Sequence, residues 1–347
     1  MKKLRVLVLM HEDLVPPPKA EGSSEKDVLP WKTERDVLAG IEELGHEVRA
    51  LGVHDDLGVL RAALDEFDPH ITFNVLEEFH GATIYGQAVI SFLELVRRAY
   101  SGCNPRGLML AHDKVLTKEI LSYHRIKTPR CAVFPVGRVG RKPKRLKWPL
   151  LVKSTFEDGS LGISQNSFVS SDEKLLERVR WMHEEFGTDV MAEEFIEGRE
   201  LYCGVLGNQR LESFPVWEMH FQEWPEGQPR IATGKVKWDL AYQKKHGIET
   251  RSAALEPALE REVVRVTKLV YRALGLSGYA RIDLRLAPDG SIYVIEANAN
   301  PDLAADEDFA QSAKSLGIDY PQLLQRILNL GLAWRPAWKE VEEAITT

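Results

Sequence analysis

The sequence predicts an α/β chain with a parallel sheet in its first third and an α+β arrangement in the remainder. Up to about residue 100, short β-rich runs alternate with helical patterns, which implies βαβ units. In the last third two strands flank Ala287-Pro288-Asp289-Gly290, a sequence with the chemistry of a tight turn and hence of an antiparallel hairpin. At ~100 to 200 residues per domain, a length of 347 residues allows two or three domains.

The opening MKKLRVLVLM reads as a first buried strand, because its apolar run meets His11, Glu12 and Asp13 too early for a secretory leader. A polar, proline-containing loop from His11 to Pro30 follows, at the sheet edge where open α/β folds bind ligands. A helix is expected from Thr33, with Asp36 completing a capping-box-like start and Gly45 as its stop. The strand EVRALGV, a helix from Leu57 to Phe67, the strand ITFNV and a helix from Tyr85 to Arg98 complete this part.

TPRCAVFPV and PLLVKS read as strands on either side of six basic residues between Arg138 and Lys147. Without interleaved aromatic side chains, that basic run reads as a solvated loop and not as a nucleic-acid surface. Ser170 and Glu173 are expected to start a helix with Leu175, Leu176, Val179 and Met182 on one face. VMAEEFI, ELYCGVLG and RLESFPVWEM read as strands, followed by a long loop through ATGKVKWDLAYQKKHGIET. A helix from Pro257 to Leu274, the hairpin, and an amphipathic helix from Pro321 to Leu330 close the series.

A formal charge of -7, with both signs interspersed, gives no general reason to expect nucleic-acid binding. No apolar run approaches the ~20 residues of a membrane span. Cys103, Cys131 and Cys203 are an odd, widely spaced set without a CxxC pair, which suits small buried residues in the cytoplasm.

The hairpin YARIDLRLAPDGSIYVIEANAN carries the chemistry. Alternation places Arg281 and Asp283 on one face of the first strand, and Glu296 and Asn298 on one face of the second. Folding about Asp289 sets Asp283 approximately opposite Glu296. Two carboxylates and an amide oxygen suit Mg²⁺, which takes oxygen ligands and shares its other positions with water and phosphate; the same residues could equally form a polar, solvated face. Phosphate needs cations, and neither a P-loop nor a GxGxxG motif is present. Lys114 ends AHDK, however, and Lys153 leaves a strand just before FEDGSLGIS, where Gly159, Ser160 and Gly162 allow close backbone approach to an anion.

These motifs, taken in order, resemble the ATP-grasp carboxylate–amine ligases, and the D-alanine–D-alanine ligases among them, from FNVL near Phe73 to LLQRIL near Leu328. MLAHDK, PLLVKSTFEDGSLGIS, MAEEFIEGRELY, KVKWD and the hairpin carry the resemblance. It implies a Rossmann-like domain over residues 1–112, a central ATP-grasp subdomain over 113–194 and a C-terminal one over 195–347. It further implies that Lys114, Lys153 and Ser160 contact ATP phosphates and that Glu193, Glu194, Phe195 and Ile196 read the adenine, largely through their backbone. Glu200 would hold the ribose, and Lys237 would reach the γ-phosphate from a mobile loop. Asp283, Glu296 and Asn298 would bind two Mg²⁺ ions, with Mn²⁺ as a substitute, and Arg281 would face the acyl phosphate. The implied partners are a small-molecule carboxylate and an amine, with no nucleic acid and no membrane; a homodimer is compatible with this.

The pattern departs where amino acids would bind. Glu77 stands where the resembled ligases have the His of a His-Gly pair, and His80-Gly81 comes three residues later. Glu25 and Glu34 are both candidates for the acidic anchor of the first substrate. After Pro301, where a Gly and then a Ser are usual, the chain has Asp302, Asp306, Glu307 and Asp308. These four carboxylates are equally readable as a solvated acidic loop or as a substrate surface that disfavours a carboxylate-bearing acceptor; on the second reading Glu77, Trp238, Asp302 and Glu307 are the candidate substrate residues and D-alanyl-D-alanine is not the expected product. A chain that keeps ATP binding but has lost ligation is the alternative.

Overall fold

The computed structural model describes residues 2–17, 29–156, 162–336 and 339. Strands β1 (Arg5–His11), β2 (Glu47–Val53) and β3 (Ile71–Asn74) form the expected parallel sheet, in the order β2-β1-β3. Helices α1 (Lys32–Glu43) and α2 (Leu57–Phe67) make the crossovers, and α3 (Gly86–Leu95) follows β3. Val6 to Met10 are all buried because β1 is central, which is why it reads as an unbroken apolar run. The expected cap of α1 is absent: Trp31 precedes the helix without a side-chain cap bond. Thr33 Oγ1 instead donates to Asp302 at 2.6 Å, and Asp36 accepts from Lys32, Arg35 and the Ala305 N–H. Both residues thus serve a contact with the far end of the chain.

Two helices that the sequence pattern did not announce come next, α4 (Pro105–His112) and α5 (Lys114–Tyr123). Asn104 caps the first, with Pro105 in its opening turn, and Asp113 caps the second by accepting from the N–H groups of Val115 and Leu116. Strands β4 (Cys131–Phe134), β5 (Leu150–Ser154), β6 (Phe168–Val169) and β7 (Val190–Glu194) form an antiparallel sheet in the order β4-β7-β5-β6. Helix α6 (Asp172–Phe186) buries Leu175, Val179 and Met182 against it; its cap is Ser171, one residue beyond the expected Ser170.

The third sheet is antiparallel, in the order β11-β10-β8-β12-β13 with β9 beside β8. Its strands are β8 (Arg199–Leu206), β9 (Glu212–Ser213), β10 (Trp217–Phe221), β11 (Ile248–Ser252), β12 (Tyr279–Leu286) and β13 (Ile292–Ala299). The expected long loop before β11 contains two short helices, α7 (Gly234–Trp238) and α8 (Leu240–His246), capped by Thr233 and Asp239. Helices α9 (Pro257–Ala273), α10 (Asp308–Lys314) and α11 (Tyr320–Ala333) follow. Among the described residues no helix is long and apolar enough to cross a membrane.

The apolar interior divides unevenly. One core joins Leu7 and Leu9 of β1 to Cys203 and Val205 of β8 and Ile282 of β12; a second joins Val6 and Val8 to Phe214, Phe309 and Leu324. The first and third sheets therefore share their interior. The four-stranded sheet keeps its own, built from residues between Ala132 and Ala192. Cys103 and Cys203 are buried, and burial pushes their thiols up to about 12 and about 11, as suits packing residues and not nucleophiles.

Candidate active site

The hairpin register pairs Arg281 with Asn298 and Asp283 with Glu296, in agreement with the approximate pairing expected from folding about Asp289. Between Asp283 and Leu284 the register shifts, leaving Ile295 as an extra residue in β13. This face is not a solvated one, since Asp283 is buried and Arg281 and Glu296 are largely covered. Arg281 donates from Nε and Nη2 to the two oxygens of Asp283, at 2.8 and 3.1 Å, and from Nη1 to Asp308 at 3.1 Å. Its guanidinium lies 4.9 Å from the centre of the Tyr202 ring. Burial pushes the Asp283 carboxyl up, and Arg281 opposes that shift. Asn300, third in the polar series, leaves the set: its φ is 55° and its Oδ1 accepts from the Cys103 N–H at 2.8 Å, fastening the strand end to the segment before α4.

Two cavities meet at this hairpin. The first is a cleft between the four-stranded and six-stranded sheets that is partly open to solvent. Its cations are Lys114, Lys153 and Lys237, its carboxylates include Asp283 and Glu296, and the segment Glu193 to Ile196 with Glu200 lines one wall. The sequence thus identified its polar residues apart from Arg285. It did not identify the apolar walls, Leu151, Ile163, Ile231 and Ile295, which form surfaces suited to a flat ring. Lys114 Nζ lies 2.6 Å from Glu296 Oε1. Burial opposes the charge of Glu296, but Lys114, Lys153 and Lys237 prevail and hold its carboxyl down at about 2.

Three further partners were missed: Arg285 and Lys118 come from elements distant in the chain, and Tyr202 is two residues beyond Glu200 on β8. Arg285 donates to Glu200 Oε2 at 2.6 Å and lies over the Phe195 ring, while the Tyr202 hydroxyl donates to Glu200 Oε1 at 2.9 Å. Lys118 Nζ lies 2.7 Å from Glu193 Oε2, and Lys153 Nζ lies 2.8 Å from Glu193 Oε1. Glu194 turns its side chain away and accepts from the Lys147 N–H.

The second cavity is a wider cleft of about 1990 Å³, and Lys237 borders both. Glu77, Trp238, Asp302 and Glu307 all line it, together with Arg281 and Asn298. Each acidic residue after Pro301 has a distinct setting. Asp302 accepts from Thr33 and the Ala304 N–H, Asp306 pairs with Lys32, and Asp308 pairs with Arg281. Glu307 is exposed at the cleft mouth, where desolvation and then Asp302, Asp308 and Asp306 push its carboxyl up to about 7. Buried Glu34 is also pushed up to about 7, by burial and then by Glu77 and Asp302. His80 is not among the cleft's lining residues and stacks on His54. Ser160, Gly159 and Glu25 lie outside the described residues.

Among the described residues no three His, Cys, Asp or Glu side chains are grouped to hold a metal ion. The hairpin instead offers two carboxylates and an amide: Asn298 Nδ2 is buried without a hydrogen-bond partner, and Glu296 Oε1 is buried against the Lys114 ammonium. Two carboxylates and an amide oxygen fit Mg²⁺ or Mn²⁺ sharing its remaining positions with phosphate and water.

Comparison with known proteins agrees with this geometry. Residues 135–329 match the family described as D-ala D-ala ligase C-terminus. A D-alanine–D-alanine ligase of Desulfotalea psychrophila is 30% identical over 277 residues, 78% of this chain and 81% of that protein. One from Desulfovibrio desulfuricans is 28% identical over 311 residues, 87% of this chain and 95% of that protein. The crystal structure of the Bacillus anthracis D-alanine–D-alanine ligase complexed with ATP superimposes with a TM-score of 0.74 at 21% identity, covering 98% of this chain and 99% of that one, which shows the ATP-grasp fold. The chain belongs to the D-alanine–D-alanine ligase family of ATP-dependent ligases.

Proposed function

We propose that this protein uses ATP to activate a small carboxylate as an acyl phosphate and joins it to an amine, and that its product is not D-alanyl-D-alanine. The observation that carries this is the meeting of two cavities at one hairpin, with Lys237 on the border of both. A phosphoryl group held in the first would face a carboxylate held in the second. Asp283, Glu296 and Asn298 would hold the divalent cation, Mg²⁺ or Mn²⁺, which draws charge from the transferring phosphoryl.

The remaining roles follow from the chain's own side chains. The isoleucine and leucine walls take the adenine ring, and Glu200, fixed by Arg285 and Tyr202, accepts from the ribose hydroxyls. Lys114, Lys153 and Lys237 offset phosphate charge. Arg281 is held rigid by Asp283 and Asp308, so it can stabilise a developing oxyanion without reorganising. The helix carrying Lys237 and Trp238 covers the junction and limits loss of the acyl phosphate to water.

Departure from D-alanyl-D-alanine rests on the cleft. Glu77, Glu249, Asp302, Asp306, Glu307 and Asp308 line it, and Arg281 already carries Asp308 on Nη1. That setting favours an acceptor with a positive group and disfavours one with a free carboxylate. The test is ADP release against a panel of carboxylates, each paired with a panel of amines. Strong release with D-alanine alone would refute the substrate assignment, and ATP binding without release under any pairing would refute ligation.

A further inference from the structure

We infer that Lys118 is a positioning residue for the nucleotide, acting through Glu193 to leave a net positive charge on the group that Lys153 presents to the first cavity. The inference rests on that cavity taking ATP. Glu193 is on β7, Lys153 on the neighbouring β5, and Lys118 one turn into α5. One carboxylate is shared between two ammonium groups, at 2.7 and 2.8 Å, and all three side chains are buried. Lys153 and Glu193 line the cavity, whereas Lys118 lines neither cavity. Lys118 can therefore reach a bound molecule only through Glu193.

The need for Lys118 is electrostatic. Lys153 alone would balance a buried Glu193, and the neutral pair would present only a dipole to a polyphosphate. A second buried lysine carries a desolvation cost, and burial accordingly pulls the Lys118 ammonium down from its ordinary value. Packing does not require that cost; a net charge does. Two lysines and one glutamate leave one positive charge facing the cavity in a poorly screened setting.

Four proteins test this: wild type, Lys118→Met, Glu193→Gln and the double variant. Their three-residue groups carry formal charges of one, zero, two and one. Affinities for ATP and for adenosine are measured by calorimetry at constant Mg²⁺, with thermal melts to confirm folding. Lys118→Met should weaken ATP about tenfold, about 1.4 kcal/mol, and leave adenosine unchanged. The double variant should recover ATP binding to within about threefold of wild type. Equal ATP binding by wild type and Lys118→Met, or equal losses for ATP and adenosine, would overturn the inference. If Lys118→Met does not fold, the double variant and Glu193→Gln decide it, because both keep at least the wild-type formal charge on the group; ATP binding weakened about tenfold in both would overturn it. Absence of ATP binding in the wild type would instead remove the functional proposal on which the inference stands.

Discussion

Lys114 and Glu296 form a direct ion pair, Nζ to Oε1 at 2.6 Å, that joins the first residue of α5 to the hairpin strand β13. Its consequence for acid stability has a definite sign. The Glu296 carboxyl is held at about 2, below its ordinary 4.5, so its contribution to stability is present above pH 4.5 and lost as pH falls through about 2. Urea midpoints of wild type and Glu296→Gln should differ most near neutrality and converge toward about pH 2. A constant gap across that range would mean that the pair does not hold the charge.

Glu34 should behave in the opposite way. Its carboxyl is raised to about 7, so its favourable neutral form is fully present below the unfolded value and is lost as pH rises through about 7. Glu34→Gln should therefore match wild type near pH 5 and exceed it at pH 8 by ~1 to 3 kcal/mol. Thermal melts at the two pH values provide the measurement, and equal stability at both would contradict the shift.

Metal dependence can be read without turnover. Mg²⁺ should raise the melting temperature strongly only when ATP is present, because the proposed site is completed by phosphate oxygens. Glu296→Gln and Asn298→Ala should lose most of that Mg²⁺-dependent increment. Retention of the full increment in both variants would exclude these residues as ligands.

Arg285 gives a ribose-specific prediction. It fixes Glu200 at 2.6 Å, so Arg285→Met should reduce the preference for ATP over its 2′,3′-dideoxy analogue by about fivefold, the scale of one charge-assisted hydrogen bond. Competition binding reports that ratio directly. A uniform loss for both nucleotides would show Arg285 to be a packing residue only.

Acceptor choice should respond to Glu307. Because it is exposed, Glu307→Ser should shift kcat/KM toward a carboxylate-bearing acceptor, relative to its carboxamide twin, by only about threefold. Asp302 is a poorer probe, since it also braces Thr33 and the Ala304 backbone. A wild type that already prefers the carboxylate twin would contradict the cleft assignment.

The parallel sheet and the hairpin were legible in the sequence because each rests on a local period or a turn, whereas most of the polar lining of the first cavity was reached through motifs that resemble those of a known family. The hairpin was readable to within a residue: alternation and Pro288-Asp289-Gly290 bring Asp283 approximately opposite Glu296, and the bulge at Ile295, which no local pattern announced, sets the final pairing. Helices α7 and α8 were not, since elements of five and seven residues do not display a helical period; the caps Thr233 and Asp239 and the stop at Gly247 were the available signals. The same holds for α4 and α5, announced only by Asn104-Pro105 and Asp113. Lys118, Arg285 and the Asp308–Arg281 pair join elements far apart in the chain, and no local pattern encodes them. Thr33 and Asp36 misled for the same reason, with cap-forming residues spent on a contact with Asp302 and Ala305.

The separate interior of the four-stranded sheet has a consequence for how the chain is put together. The backbone enters that sheet on β4 and leaves it on β7, and those two strands are neighbours, Cys131 opposite Glu193. A stretch that begins and ends side by side and keeps its own core has the topology of an insertion, and the first and third sheets, which share their cores, form its host. The host is discontinuous in sequence yet continuous in packing. The first cavity is the seam between the two, with Lys153 and Glu193 contributed by the insert and Asp283, Arg285 and Glu296 by the host. Replacing the insert with that of a relative would exchange one lip of the seam whole, leaving the hairpin and the second cavity on their original frame.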